Sequence, residues 1–122
     1  MKTREDTGTI QISPDAVAHV ARDAALQSYG VVGLSPRNVW ERLCGLLRGD
    51  TYPQGVRVRI REGQITVDLY IIVQYGTRIS EVAQGVMSQV KYAIEQTLGI
   101  PVAAINVHVK GLRINHDHQE EE

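Results

Sequence analysis

Between Val56 and Gln74 apolar and polar residues alternate in two runs, VRVRIR and QITVDLYIIVQ, separated by Glu62-Gly63. Period-2 runs joined by a two-residue link of this kind predict a tight β-hairpin. The turn sets the register: Val58 faces Val67 and Ile60 faces Ile65 on one side, and Arg57 faces Asp68 on the other. Downstream, Ile79, Val82, Ala83, Val86, Val90, Ala93, Ile94 and Thr97 repeat at helical spacing, and Gly99-Ile100-Pro101 ends the pattern. A last strand follows, in which Ile105, Val107 and Val109 alternate with Asn106, His108 and Lys110.

Upstream, Thr9-Ile10-Gln11-Ile12 alternates as a short strand. Ser13-Pro14-Asp15 then supplies an N-cap, a proline for the first helical position and an acid that favours the helix dipole. Val17, Val20, Ala21 and Ala24 form the buried stripe of that first helix, and Gly30 provides its stop. The segment from Val31 to Gly55 is punctuated by Pro36, Gly45, Gly49, Pro53 and Gly55. It reads as an insertion holding one short helix, Asn38 to Leu47, built on Val39, Leu43 and Leu46.

The order strand, helix, strand, strand, helix, strand is the split βαβ, or ferredoxin-like, pattern. It predicts an α+β fold in which two helices cover one face of a four-stranded antiparallel sheet, with a short helical insertion before the second strand. The other face then displays Gln11, Arg57, Arg59, Arg61, Asp68, Tyr70, Ile72, Asn106, His108 and Lys110. A single domain is expected over residues 8–114, with 1–7 and 115–122 as flexible polar tails.

A chain of 122 residues with 43% hydrophobic and 22% charged residues suits one soluble domain with one core. Its formal net charge of −1 argues against binding nucleic acid or anionic lipid through a whole-molecule field, so any electrostatic role must be local. The lone cysteine, Cys44, can form neither an intramolecular disulfide nor a thiolate zinc site, which fits a reducing, cytoplasmic setting. The polar start MKTREDTGTIQIS and the short apolar run near Leu69 predict neither export nor a membrane span.

Two blocks carry a resemblance. GTIQISPDAVAHVARDAALQSYGVVGL has Ile-Ser before its helix and Gly-Val-x-Gly after it, and Val67 to Leu112 spaces Val-Asp-Leu, Tyr-Gly, Glu-Val-Ala, Leu-Gly and Asn-Val-x-Val in order. Together these blocks, which cover most of the folded chain, resemble the Gls-type alkaline shock, or envelope stress response, proteins of Gram-positive and related bacteria. The resemblance implies a small non-enzymatic cytoplasmic protein linked to envelope stress or homeostasis. In some members such a protein is held at the membrane by a separate integral-membrane partner. It implies no catalytic residues and no cofactor. The segment from Ser35 to Gly55 is where the match is weakest, and the chain lacks the long charged tails of some members.

Among individual residues, Arg57, Arg59 and Arg61 share one strand face, and guanidinium forks suit oxyanions or an acidic partner. The plain alternative is a solvated face with weak cross-strand pairs. Tyr70 beside arginines has the flavour of an RNA-binding sheet, but a single aromatic and the absence of an RNP-type motif count against it. His108 with Lys110 offers a proton-transfer pair without a second titratable group or an evident pocket, so an exposed strand histidine is the simpler reading. His116, Asp117 and His118 lie in a tail that supplies no preorganised metal geometry, and His19 reads as a helix-surface residue. Cys44 reads as a small buried hydrophobe, and Gly30-Val-Val-Gly33 has neither phosphate-loop spacing. Ile72 and Trp40 are candidate apolar anchors.

The residues therefore point to protein contact through Arg57, Arg59, Arg61, Tyr70, Ile72, His108 and Lys110. The expected partner is a protein or a second copy, with indirect membrane association through an anchor protein and no metal, cofactor or small-molecule substrate. The competing class is a ligand- or nucleic-acid-binding module on the same basic face.

Overall fold

The computed structural model describes residues 2–5, 8–35 and 55–114. The predicted insertion helix Asn38 to Leu47, Trp40, Cys44 and the tail residues His116, Asp117 and His118 lie outside them. The elements in chain order are β1 (Lys2–Glu5), β2 (Gly8–Gln11), α1 (Pro14–Leu26), β3 (Val31–Leu34), β4 (Val56–Arg61), β5 (Gln64–Gln74), α2 (Ile79–Leu98) and β6 (Ala104–Arg113).

The hairpin forms in the predicted register, with Arg57 opposite Asp68, Val58 opposite Val67 and Ile60 opposite Ile65. Its turn is tight because both linking residues are left-handed, Glu62 at φ 53 and Gly63 at φ 76, and such a turn matches the twist of the flanking strands. β5 is the central strand. β4 pairs with its first half and β3 with its second half on the same side, while β6 pairs along its other side.

α1 opens and α2 closes where the sequence predicts, whereas α1 ends at Leu26 with a right-handed Gln27 as its cap, short of the expected stop at Gly30. Ser13 caps α1 by accepting the Ala16 N–H at 3.1 Å, with Pro14 in the first turn. α2 ends at Gly99, left-handed, whose N–H donates to the Glu95 carbonyl at 3.0 Å. The Glu95 carboxylate then accepts the Val102 N–H at 3.2 Å, and the Ala103 N–H donates to the Ile65 carbonyl at 2.8 Å, which lands the chain beside the start of β5. Val17, Ala18, Ala21 and Ala25 of α1 and Val82, Val86, Val90 and Ile94 of α2 are buried against Val58, Ile65, Val67, Leu69, Ile71 and Val73 of the sheet. Each buried valine, leucine or isoleucine in that layer contributes about 1.5–3 kcal/mol relative to exposure. The α+β class, with two helices packed on a four-stranded sheet, is therefore as the sequence predicts.

The strands composing that sheet differ in two respects. The strand around Thr9–Gln11 does not enter it but pairs antiparallel with Lys2–Glu5 as a separate two-stranded hairpin, so residues 2–5 form a strand and not a loose tail. Gln11 is thus not part of the open face. Pairing with the segment just upstream closes a short loop at small entropic cost, and β2, exposed throughout, offers little apolar surface to hold it in a core. Val31–Leu34, read as the start of an insertion, supplies the fourth strand, because Val31 and Leu34 pack on the core.

The second difference follows from the first. In a split βαβ sheet the first strand lies between the two joined by the second helix. Here that place is empty, so β6 closes directly on β5. A 20-residue helix returns the chain to the start of β5, so these two strands, parallel in either arrangement, become direct neighbours and the sheet is mixed instead of wholly antiparallel.

Candidate functional site

The helix-free face of the sheet gathers the outward residues of three strands. On β4 these are Arg57, Arg59 and Arg61, with Arg57 and Arg61 exposed and Arg59 half-buried. On β5 they include Asp68, Tyr70 and Ile72, and on β6 Asn106 and His108. Ile72, expected as an exposed anchor, is half-buried between Gly33 and Gly111.

Asp68 is the centre of this face. Its side chain is only 7% exposed, and both carboxylate oxygens are engaged. Arg59 donates from Nη2 to Oδ2 at 3.0 Å, Asn106 donates from Nδ2 to Oδ1 at 3.0 Å, and His108 Nε2 stands 3.5 Å from Oδ1. Burial opposes ionisation and would raise the carboxyl pKa. The Asn106 hydrogen bond, the Arg59 charge and the His108 imidazole together outweigh it and hold the group below its ordinary value of 3.8. Asp68 is therefore a carboxylate at neutral pH, fully occupied by its neighbours.

The partner of Asp68 is Arg59 and not Arg57, although Arg57 is its register mate. Diagonal neighbours on paired strands stay within reach of long side chains, and strand twist brings one diagonal closer. Arg57 and Arg61 consequently form no ion pair among the described residues. Tyr70 and His108, paired in register across β5 and β6, stack with ring centroids 4.6 Å apart at 13°. One face of the tyrosine ring is thus covered by the imidazole.

Lys110 does not stand beside His108 as a proton-transfer partner. β6 bulges there, with Ile71 opposite Val109 and Ile72 opposite Gly111, so Lys110 is the extra, exposed residue. The structure thus brings Arg59, Tyr70 and His108 together around Asp68 and leaves Arg57, Arg61 and Lys110 at the margins. Asp68 and Asn106, which the site prediction did not include, are the residues that organise it. One signal was available: a carboxylate between Val67 and Leu69 in the most apolar strand of the chain has to be paired when that strand is central.

On the helical side a shallow groove between α1 and α2 is lined by Val20, Asp23, Ala24, Gln27, Gln89, Tyr92, Ala93 and Thr97. Its one carboxylate, Asp23, accepts the Gln27 amide at 3.0 Å. Among the described residues no group of histidine, cysteine and carboxylate side chains is arranged to hold a metal ion, and no helix is long and apolar enough to cross a membrane.

Comparison with known proteins agrees with the resemblance seen in the sequence. The uncharacterized protein YloU of Bacillus subtilis (strain 168) is 42% identical over 117 residues, covering 95% of this chain and 98% of YloU. Spy1614 of Streptococcus pyogenes serotype M6 is 32% identical over 115 residues, covering 93% of this chain and 95% of that protein. Among solved structures, a variant of the MamM C-terminal domain superposes with a TM-score of 0.50 at 17% identity, covering 81% of this chain and 98% of that one, a likeness of fold alone. Residues 2–114 match the family called Asp23, a name unconnected with residue Asp23 of α1. The chain belongs to this alkaline-shock-type family, whose function is related to the cell envelope.

Proposed function

We propose that this protein is a non-enzymatic interaction protein of the cell-envelope system, which meets a protein partner on the cytoplasmic side through the open face of its sheet. The observation that carries the reading is the division of labour among the arginines. Arg59 is consumed in holding Asp68, whereas Arg57 and Arg61, two residues to either side on the same strand, are exposed without an ion pair among the described residues. A cluster in which both oxygens of Asp68 are engaged, flanked by free guanidinium groups, presents fixed shape and charge, which is what a specific protein contact uses. The same cluster speaks against proton transfer, since Asp68 is held ionised by three donors. The stacking of His108 on Tyr70 speaks against a base-stacking nucleic-acid platform.

The test is charge reversal at the two free arginines. Arg59→Glu would dismantle the Asp68 cluster and confound stability with binding, whereas Arg57→Glu/Arg61→Glu leaves the fold intact. Partner recovery by crosslinking in cells, together with solution mass, is compared with wild type. Loss of the partner, or a change in assembly state, is expected for the double variant at unchanged thermal stability. Unchanged recovery and mass would remove the open face from consideration.

A further inference from the structure

β6 is a ten-residue edge strand with an unusual surface. Its inner edge pairs with β5, and no described residue pairs with its outer edge. β3 and β4 fill the opposite side of β5, and their own outer edges have no partner among the described residues either; β6, at ten residues against four and six, is the longest open edge of the sheet. Edge strands are ordinarily blunted or covered, because a row of unpaired N–H and C=O groups recruits other strands.

The two faces of β6 differ. Val109 and Leu112 stand opposite Ile71 and Val73, residues fully buried on the helix side, yet Val109 and Leu112 are themselves 36% and 48% exposed. α2, the helix that packs over β6, adds exposed Ile79 and Met87. On the other face and at the bulge β6 carries His108, Lys110 and Arg113, all exposed, and its sequence AINVHVKGLR has no carboxylate. Neither Lys110 nor Arg113 forms an ion pair among the described residues.

Resting on the reading of the sheet as a protein-contact surface, we propose that the outer edge of β6 accepts an extended segment of a partner protein as an added strand, and that this segment alternates apolar and acidic residues. Strand addition takes its affinity from backbone hydrogen bonds and its specificity from alternate side chains. Here one set of side chains meets Val109, Leu112 and the flank of α2, and the other meets His108, Lys110 and Arg113. Cross-strand neighbours lie about 5 Å apart, close enough for opposite charges to attract and like charges to repel. The Lys110 bulge then acts as a filter: a neutral or basic strand meets an irregular, cationic edge, while an acidic strand neutralises it. Charge also decides against a second copy, since β6 against itself would bring Lys110 and Arg113 of both copies together with no carboxylate on either strand.

The probe is a blocked decapeptide alternating valine and glutamate, compared with one alternating valine and lysine, on the full chain. The valine–glutamate peptide is expected to bind, to weaken as salt is raised, and to slow hydrogen exchange at β6 amides. Lys110→Glu/Arg113→Glu should weaken it by about tenfold or more without lowering the melting temperature. Leu112→Ser should weaken it through the apolar side. Absence of binding, equal binding of the lysine peptide, or protection confined to other strands would overturn the proposal. So would concentration-dependent protection of β6 in the free protein, which would mean that a second copy already covers it. If the peptide fails while charge reversal at Arg57 and Arg61 still abolishes partner recovery, strand addition alone is refuted and the open-face reading stands.

Discussion

Replacing Asp68 by asparagine tests whether the open face is organised as described. The substitution keeps the shape of a side chain that is 7% exposed but removes the charge to which Arg59 donates at 3.0 Å and near which His108 lies at 3.5 Å. Asn106 can still donate to the remaining carbonyl oxygen, while the new amide presents a donor to the Arg59 guanidinium. Hydrogen bonds to charged groups contribute about 1.5–3 kcal/mol, and breaking a fully buried pair costs about 3–5 kcal/mol. Arg59 is 37% exposed and can turn its guanidinium to water, so the loss falls toward the lower range, about 2 kcal/mol at neutral pH. In a domain of this size that is a fall on the order of 8 °C in Tm.

Urea unfolding of wild type and Asp68→Asn across pH provides the sharper measurement. The folded pKa of Asp68 is depressed below 3.8, so its stabilisation is complete above the unfolded value and is lost as pH falls through the folded one. The difference between the two proteins should be constant from neutral pH down to about pH 5, shrink below 3.8 and vanish in stronger acid. A difference under about 0.5 kcal/mol at pH 7, or one that does not change on acidification, would refute the assignment of Asp68 as the charged centre.

Arg59→Met should cost about 1–2 kcal/mol by leaving Asp68 underpaired, whereas Arg57→Met should stay within about 0.5 kcal/mol, and denaturant titration of the pair distinguishes the diagonal contact from the register mate. Gly30→Ala should destabilise by about 2–4 kcal/mol, because φ is +86° and the added Cβ would lie 2.5 Å from Cγ2 of Val82 on α2; a change below 1 kcal/mol in thermal unfolding would contradict that close approach. Ser13→Ala removes the cap on the Ala16 N–H and should cost about 1 kcal/mol, with Ser13→Asp restoring it in the same assay.

The local decisions of this chain were legible in its sequence. Alternation and a two-residue turn set the hairpin register residue by residue, and Ser13-Pro14 and Gly99 bounded the helices, because turns, caps and side-chain periodicity depend on neighbours within a few positions. The resemblance in Val67 to Leu112 was likewise a matter of local spacing, and it led to the right family. Which strands share a sheet was not legible, because it depends on competition between segments far apart: Val31–Leu34 joined the sheet and Thr9–Gln11 did not, and the absence of the latter made β6 a parallel neighbour of β5 with an open edge. The sequence likewise placed Arg57, Arg59 and Arg61 on one face without revealing that Arg59 is the one Asp68 holds. Strand twist selects the diagonal, and a buried carboxylate becomes a fixed centre only when Asn106 and His108 arrive from a strand 38 and 40 residues away in sequence.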